Sequence, residues 1–170
     1  MANNLVVAVL GNRDSGKSST WNAVFGVSED GGTVRTGKYQ RHLYLNKAEW
    51  VDVFLVSGSA EERETPINKI LPKQLPPIVL CSMQYRADVA QTIDFFVAQQ
   101  YDICVYWLNP GYHDDSQYSD ELEITGYLLK KGAVIAQRSG KGSLSSRSLE
   151  IKQYIYGWAK VRNLITTDFE

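Results

Sequence analysis

Gly11-Asn12-Arg13-Asp14-Ser15-Gly16-Lys17-Ser18 follows directly on the apolar run Leu5 to Leu10. Two glycines, a lysine and a serine at these intervals make the pattern G-x-x-x-x-G-K-[ST] of a phosphate-binding loop. Glycines let the backbone wrap an anion closely, and successive N–H groups then point at its oxygens. A helix starting at the lysine adds the partial positive charge of its N-terminus. Lys17 has the reach for terminal phosphates, and the Ser18 hydroxyl is a Mg²⁺ ligand in this pattern. Gly11 to Ser18, with Ser19 behind them, are the expected phosphate contacts; Lys17 and Arg13 are the candidates for stabilising charge during phosphoryl chemistry. At ordinary amino-acid frequencies the pattern arises by chance in about one chain of this length in 200. The strand before it and the helix after it lower that further.

The elements that must position this loop follow from periodicity. Leu5 to Leu10 is a short buried-type strand, and Ser18 to Phe25 is a helix ending at Gly26. A polar, glycine-rich loop then runs to Gly37. Tyr39 to Leu45 and Trp50 to Val56 alternate as strands, and the turn at Asn46-Lys47 is too short for anything but an antiparallel pair. Ser57 to Thr65 is polar, and Pro66 to Leu71 is at most a short helix. Strands at Ile78–Ser82, Ile103–Leu108 and Ala133–Ala136 then alternate with helices at 87–100, 119–131 and 148–164. Acids begin the second of these helices, lysines end it, and Gly132 follows. Ile151, Tyr154, Ile155, Trp158 and Val161 mark the buried face of the last. Strands alternating with helices predict an α/β fold in three layers, with helices on both faces of a six-stranded, mostly parallel sheet carrying one antiparallel hairpin strand. With the expected phosphate loop, this order of elements resembles that of P-loop NTPases.

The 170 residues suffice for one domain, 1–170, with a full core. Lys and Arg number 18 and Asp and Glu 19, a balance that gives no general attraction to nucleic acid or anionic membrane. No basic-aromatic RNA-binding motif occurs, and no apolar run has the length of a membrane span. The N-terminal apolar run reads as a first strand and not as a signal peptide. Cys81 and Cys104 lie in apolar runs and read as buried thiols, which fits a reducing, cytoplasmic setting. His42 and His113 have no partner at catalytic or metal-ligating spacing.

The order of these elements resembles the small P-loop GTPases, the Ras-like and Era-like group. Gly16-Lys-Ser-Ser-Thr-Trp-Asn-Ala-Val-Phe-Gly26 is similar to the G-K-S-[ST]-L-x-N-A-L-x-G opening of Era-like members. The resemblance implies GTP and Mg²⁺ as ligands, with Thr36 completing the metal's coordination beside Ser18 and Thr33 in reserve. It implies protein partners at loops 26–38 and 57–66. Other family motifs are altered. Leu55-Val-Ser-Gly58 stands where D-x-x-G is expected, without the acid that holds a Mg²⁺-bound water, and Glu61 and Glu62 are its possible substitutes. Asn109-Pro-Gly-Tyr112, followed by Asp114 and Asp115, stands for N-K-x-D, so Asn109 and Asp114 are the implied guanine readers. Ser139-Gly-Lys141 stands for the S-A-K loop. Asp14 occupies the place where some Era-like members bind potassium through an asparagine.

Ser59 replaces the glutamine that orients water in Ras-like members, which implies slow hydrolysis, with Arg13 or Arg35 as a cis arginine. The leading expectation is a GTP-binding switch protein with slow or partner-dependent turnover. The alternatives are a pseudo-GTPase interaction module that never cycles, and an ATP-dependent small P-loop kinase using 137–147 as its lid.

Overall fold

The run after Ala2-Asn3 forms the central strand β1 (Asn4–Gly11), and every residue of it from Leu5 onward is buried. These and all other structural statements come from a computed structural model that describes residues 1–28 and 32–168. The loop 12–16, the expected phosphate loop, leads from β1 into α1 (Lys17–Val24). The hairpin β2 (Arg41–Tyr44) and β3 (Glu49–Val56) follows, with Arg41 opposite Val53 and Tyr44 opposite Trp50. Two single-turn helices, α2 (Ala60–Arg63) and α3 (Ile67–Ile70), lead to β4 (Ile78–Gln84). The rest alternates: α4 (Val89–Ala98), β5 (Tyr101–Leu108), α5 (Ile124–Lys130), β6 (Val134–Arg138) and α6 (Leu144–Lys160).

The strands lie in the order β2-β3-β4-β1-β5-β6. β1 pairs in parallel with β4 on one side, Leu5 against Ile78, and with β5 on the other, Asn4 against Tyr101. β3–β4 and β5–β6 are parallel too. The alternating side chains of β1 divide between two apolar clusters. Val6, Ala8 and Leu10 meet Ala60, Ile67, Ile93, Phe96 and Leu128, so α2 to α5 cover that face. Leu5, Val7 and Val9 meet Trp21 and Val24 of α1 and Ile151, Ile155 and Trp158 of α6. Burying a side chain of this size is worth about 1.5–3 kcal/mol. These clusters, more than helix propensity, hold the short helices in place.

The sheet has seven strands where periodicity gives six. β7 (Thr166–Thr167) pairs antiparallel with Glu49 and Trp50 at the start of β3. Two residues are too few to show alternation; the pairing is fixed from outside, by Leu164 and Ile165 packing on the α1–α6 cluster and the Trp50 indole donating to Asp168. α5 starts at Ile124 and not at Ser119, because Asp120 accepts the N–H groups of Ile124 and Thr125 and Glu123 turns left-handed at φ 55°. α6 starts earlier than its apolar stripe, at a cap where the Ser143 hydroxyl accepts the Ser146 N–H. It ends at Lys160, which leaves Val161 exposed. Ser59 caps α2 in the same way, within a stretch that reads as polar loop. Both cysteines are buried and free, and burial pushes their thiol pKa values up, that of Cys104 to about 11. Among the described residues no helix is long and apolar enough to cross a membrane.

Candidate functional site

Parallel strands deliver the loops after their C-terminal ends to one edge of the sheet, where ligands of open α/β folds gather. Here the loops after β1, β3, β4, β5 and β6 surround a cleft of about 880 Å³ whose floor is the phosphate loop from Arg13 to Ser19. Within that loop Asp14 (φ 59°) and Gly16 (φ 105°) are left-handed, separated by Ser15. Such alternation makes neighbouring N–H groups converge on an anion. Gly16 is the residue immediately before α1, and its conformation is open to glycine and costly for other residues.

Lys17 is buried, and its ammonium donates to the carbonyls of Gly11 (3.2 Å) and Asn12 (2.7 Å). Burial lowers its pKa, partly offset by the charges of Glu62, Asp14 and Glu61. A cation held only by neutral carbonyls retains an unspent electrostatic demand for an anion. The Ser15 hydroxyl is buried with no hydrogen-bond partner. The Ser18 hydroxyl-bearing side chain is exposed in the first turn of α1, on the cleft.

Three loops are interlocked. The Tyr112 N–H donates to the Ser15 carbonyl (3.0 Å), and the Gly140 N–H to the Pro110 carbonyl (2.7 Å). A Cβ on Gly140 would sit 2.4 Å from the Ser15 carbonyl oxygen, so only glycine fits. Arg147 of α6 completes the assembly from below. It is buried, and it donates to the Thr20 hydroxyl (3.0 Å) and the Ser139 carbonyl (2.6 Å). Ser139-Gly140-Lys141 therefore reaches the phosphate loop, chiefly through the backbone: the Ser139 hydroxyl accepts the Lys141 N–H, and the Lys141 ammonium donates to the Tyr112 carbonyl.

Other expected contacts are spent on architecture. The buried Asn109 side chain bonds the N–H and C=O of Tyr118, and the Asp114 carboxylate accepts the Gly111 N–H at 2.8 Å. Both brace the 109–118 loop, and neither lines the cleft. The Thr36 hydroxyl accepts the Ser57 N–H (2.9 Å) and an Arg63 N–H (2.6 Å), and Thr36 and Arg35 line an adjoining hollow instead. Ser59 is fully buried as the α2 cap. Of the two candidate acids, Glu61 turns inward, accepting from the Gln84 N–H and the Thr92 hydroxyl, both at 2.8 Å, and burial raises its pKa. Glu62 faces the cleft. Loop 26–38 is described except for residues 29–31, which lie outside the described residues.

The cleft also contains groups that the sequence does not single out. Gln84 and Arg86, at the end of β4, form its wall beside Glu62, and the Gln84 side-chain oxygen is buried without a hydrogen-bond partner. Tyr112 and His113 stand on the opposite side in an edge-to-face pair. His42, by contrast, lies on β2, bonded to Asp52 at 2.6 Å and packed on Trp50. Among the described residues no group of three or more His, Cys, Asp or Glu is arranged to hold a metal ion. A phosphate-bound Mg²⁺ needs no such group, since water and phosphate supply most of its ligands.

Comparisons with protein families, with characterised proteins and with solved structures give no match.

Proposed function

We propose that this chain binds a nucleoside triphosphate at the loop Gly11–Ser18, with GTP the leading candidate, and hydrolyses it slowly as a switch or regulatory module of the P-loop GTPase type. The observation that carries the reading is Lys17, a buried ammonium at the floor of the cleft with no carboxylate bonded to it. Phosphate oxygens supply the charge it lacks, and the left-handed turns at Asp14 and Gly16 suit the amides of 14–18 to the same group. Ser18 is the residue that would hold Mg²⁺, whose role when bound is to neutralise phosphate charge; Arg13 and Asp14 flank the same floor.

The guanine preference rests on the GTPase resemblance, because Asn109 and Asp114 are engaged in bracing their own loop. Slow turnover is argued from the residues themselves: Ser59 is withdrawn as a helix cap, and Gln84 and Glu62 are among the polar residues left at the cleft wall. A cytoplasmic location and protein partners at loops 26–38 and 57–66 belong to the same proposal.

The test is equilibrium binding of fluorescent GTP and ATP analogues, with and without Mg²⁺, to the wild type and to Lys17→Ala. Mg²⁺-dependent binding that the variant loses supports the reading, and preference for ATP moves the chain away from the GTPases. Binding that survives Lys17→Ala refutes the assignment of the site. In the same preparation, Gln84→Ala is expected to slow turnover while leaving nucleotide affinity unchanged.

A further inference from the structure

We infer that a second anion site, separate from the phosphate loop, lies in the hollow between loop 33–38 and the segment 57–70, and that it takes a small molecule bearing phosphate groups. The hollow, about 640 Å³, is lined by Arg35, Lys38, Arg63 and Lys69 and, among the described residues, by no carboxylate. In a chain with nearly equal numbers of acids and bases, four exposed cations around one concavity concentrate positive potential there, which draws an anion. None of the four pairs with a carboxylate among the described residues. Thr36, Gly37, Ser57, Gly58, Thr65 and Ile70 complete the lining, which among the described residues contains no aromatic ring on which a base could stack. That favours recognition of phosphate over recognition of a nucleic-acid strand.

The arrangement is built before any ligand arrives. The Arg63 guanidinium donates to the Thr36 hydroxyl at 2.6 Å, a neutral partner that leaves its charge uncompensated by any carboxylate of an ion pair among the described residues. It crosses Gly58 so closely that a Cβ there would lie 3.1 Å from Nε. The same Thr36 hydroxyl accepts the Ser57 N–H, and Arg41 donates to the Arg35 carbonyl at 2.6 Å. Loop 35–38 is thereby fastened to β2 and to the end of β3, which sets Arg35 and Lys38 on the rim. Guanidinium forks and ammonium groups together match the several oxygens of a phosphate. Ser57 and Gly58 belong to the walls of both the hollow and the nucleotide cleft, so the two ligands would lie side by side. The site uses no residue of the phosphate loop and stands or falls apart from the nucleotide reading.

Calorimetric titration of the full chain with inorganic pyrophosphate tests it. The wild type is expected to bind at two sites. Lys17→Ala should lose one, and the double variant Arg35→Gln/Lys69→Gln should lose the other, with each removed cation weakening it about tenfold, ~1.4 kcal/mol. Arg63→Gln should weaken the same site, whereas Lys152→Gln and Lys160→Gln on α6 should change nothing. Circular dichroism checks that each variant is folded. One site only, lost in the double variant, supports the second site and sinks the nucleotide reading. Two sites persisting in the double variant, or both lost in Lys17→Ala, overturn the inference. So does tetraglutamate binding there as tightly as pyrophosphate, because the site would then read charge and not phosphate.

Discussion

Gly140→Ala is the sharpest test of the interlocked loops. The added Cβ would lie 2.4 Å from the Ser15 carbonyl oxygen, 2.7 Å from the Tyr112 nitrogen and 2.9 Å from the Gly111 carbonyl carbon. All three are backbone atoms, so no side chain can swing aside, and the loops must part by roughly an ångström to reach ordinary contact. Overpacking of this kind costs about 1–3 kcal/mol. Losing the Tyr112 N–H bond to Ser15 adds about 0.5–1.5 kcal/mol. The sum is roughly 2–4 kcal/mol, which at a urea m-value of about 2 kcal/mol/M lowers the unfolding midpoint by about 1–2 M. Urea unfolding followed by tryptophan fluorescence measures the shift, and triphosphate binding should weaken with it, because the strain falls on the carbonyl of Ser15 inside the phosphate loop. Gly142→Ala is the matched control, its one close contact being the Ser139 carbonyl at 3.2 Å. A midpoint within about 0.3 M of wild type in Gly140→Ala, a stability change near 0.6 kcal/mol, would refute the claim that the three loops are rigidly joined.

Two further predictions concern stability. Gly126 in α5 and Gly157 in α6 have open space where a Cβ would go. Alanine at either position should stabilise the protein by about 0.5–1 kcal/mol, and thermal unfolding showing a lowered midpoint would contradict it. Glu61 is held protonated to a higher pH in the fold than in the unfolded chain, because burial raises its pKa above 4.5. The native state then binds more protons, so this group's contribution falls as pH rises from the unfolded pKa through the folded one. Glu61→Gln removes that slope; the stability difference between variant and wild type should move in the variant's favour between pH 4.5 and 7.5, and a difference independent of pH would rule the effect out.

The strand, turn and helix at 4–24 were legible because their signal is local: an apolar run and the glycine-containing stretch after it are consecutive in sequence. The strands and the hairpin were legible for the same reason, since alternation is a property of neighbours in sequence. Sheet order is not. Nothing in Ile78–Gln84 announces that it pairs with β1, so Gln84 and Arg86 could not be assigned to the cleft wall. Short polar segments misled in the other direction. Asn109, Asp114, Ser59 and Thr36 have the residue types of ligand contacts, and each instead satisfies a backbone N–H of its own scaffold. Asx turns and helix caps draw on the same side chains as binding sites do, and only the partner's position separates the two uses.

The place of β4 has a consequence for the end of β3. Adjacent strands are about 4.8 Å apart, so the end of β3 stands two ladder spacings, roughly 10 Å, from the strand that carries the phosphate loop. A short carboxylate at Ser57 would begin its reach from that distance, whereas Gln84 begins from half of it. The stretch Leu55–Gly58 therefore borders the cleft from two strands away, and the side chain next to the end of β1 on that side is Gln84.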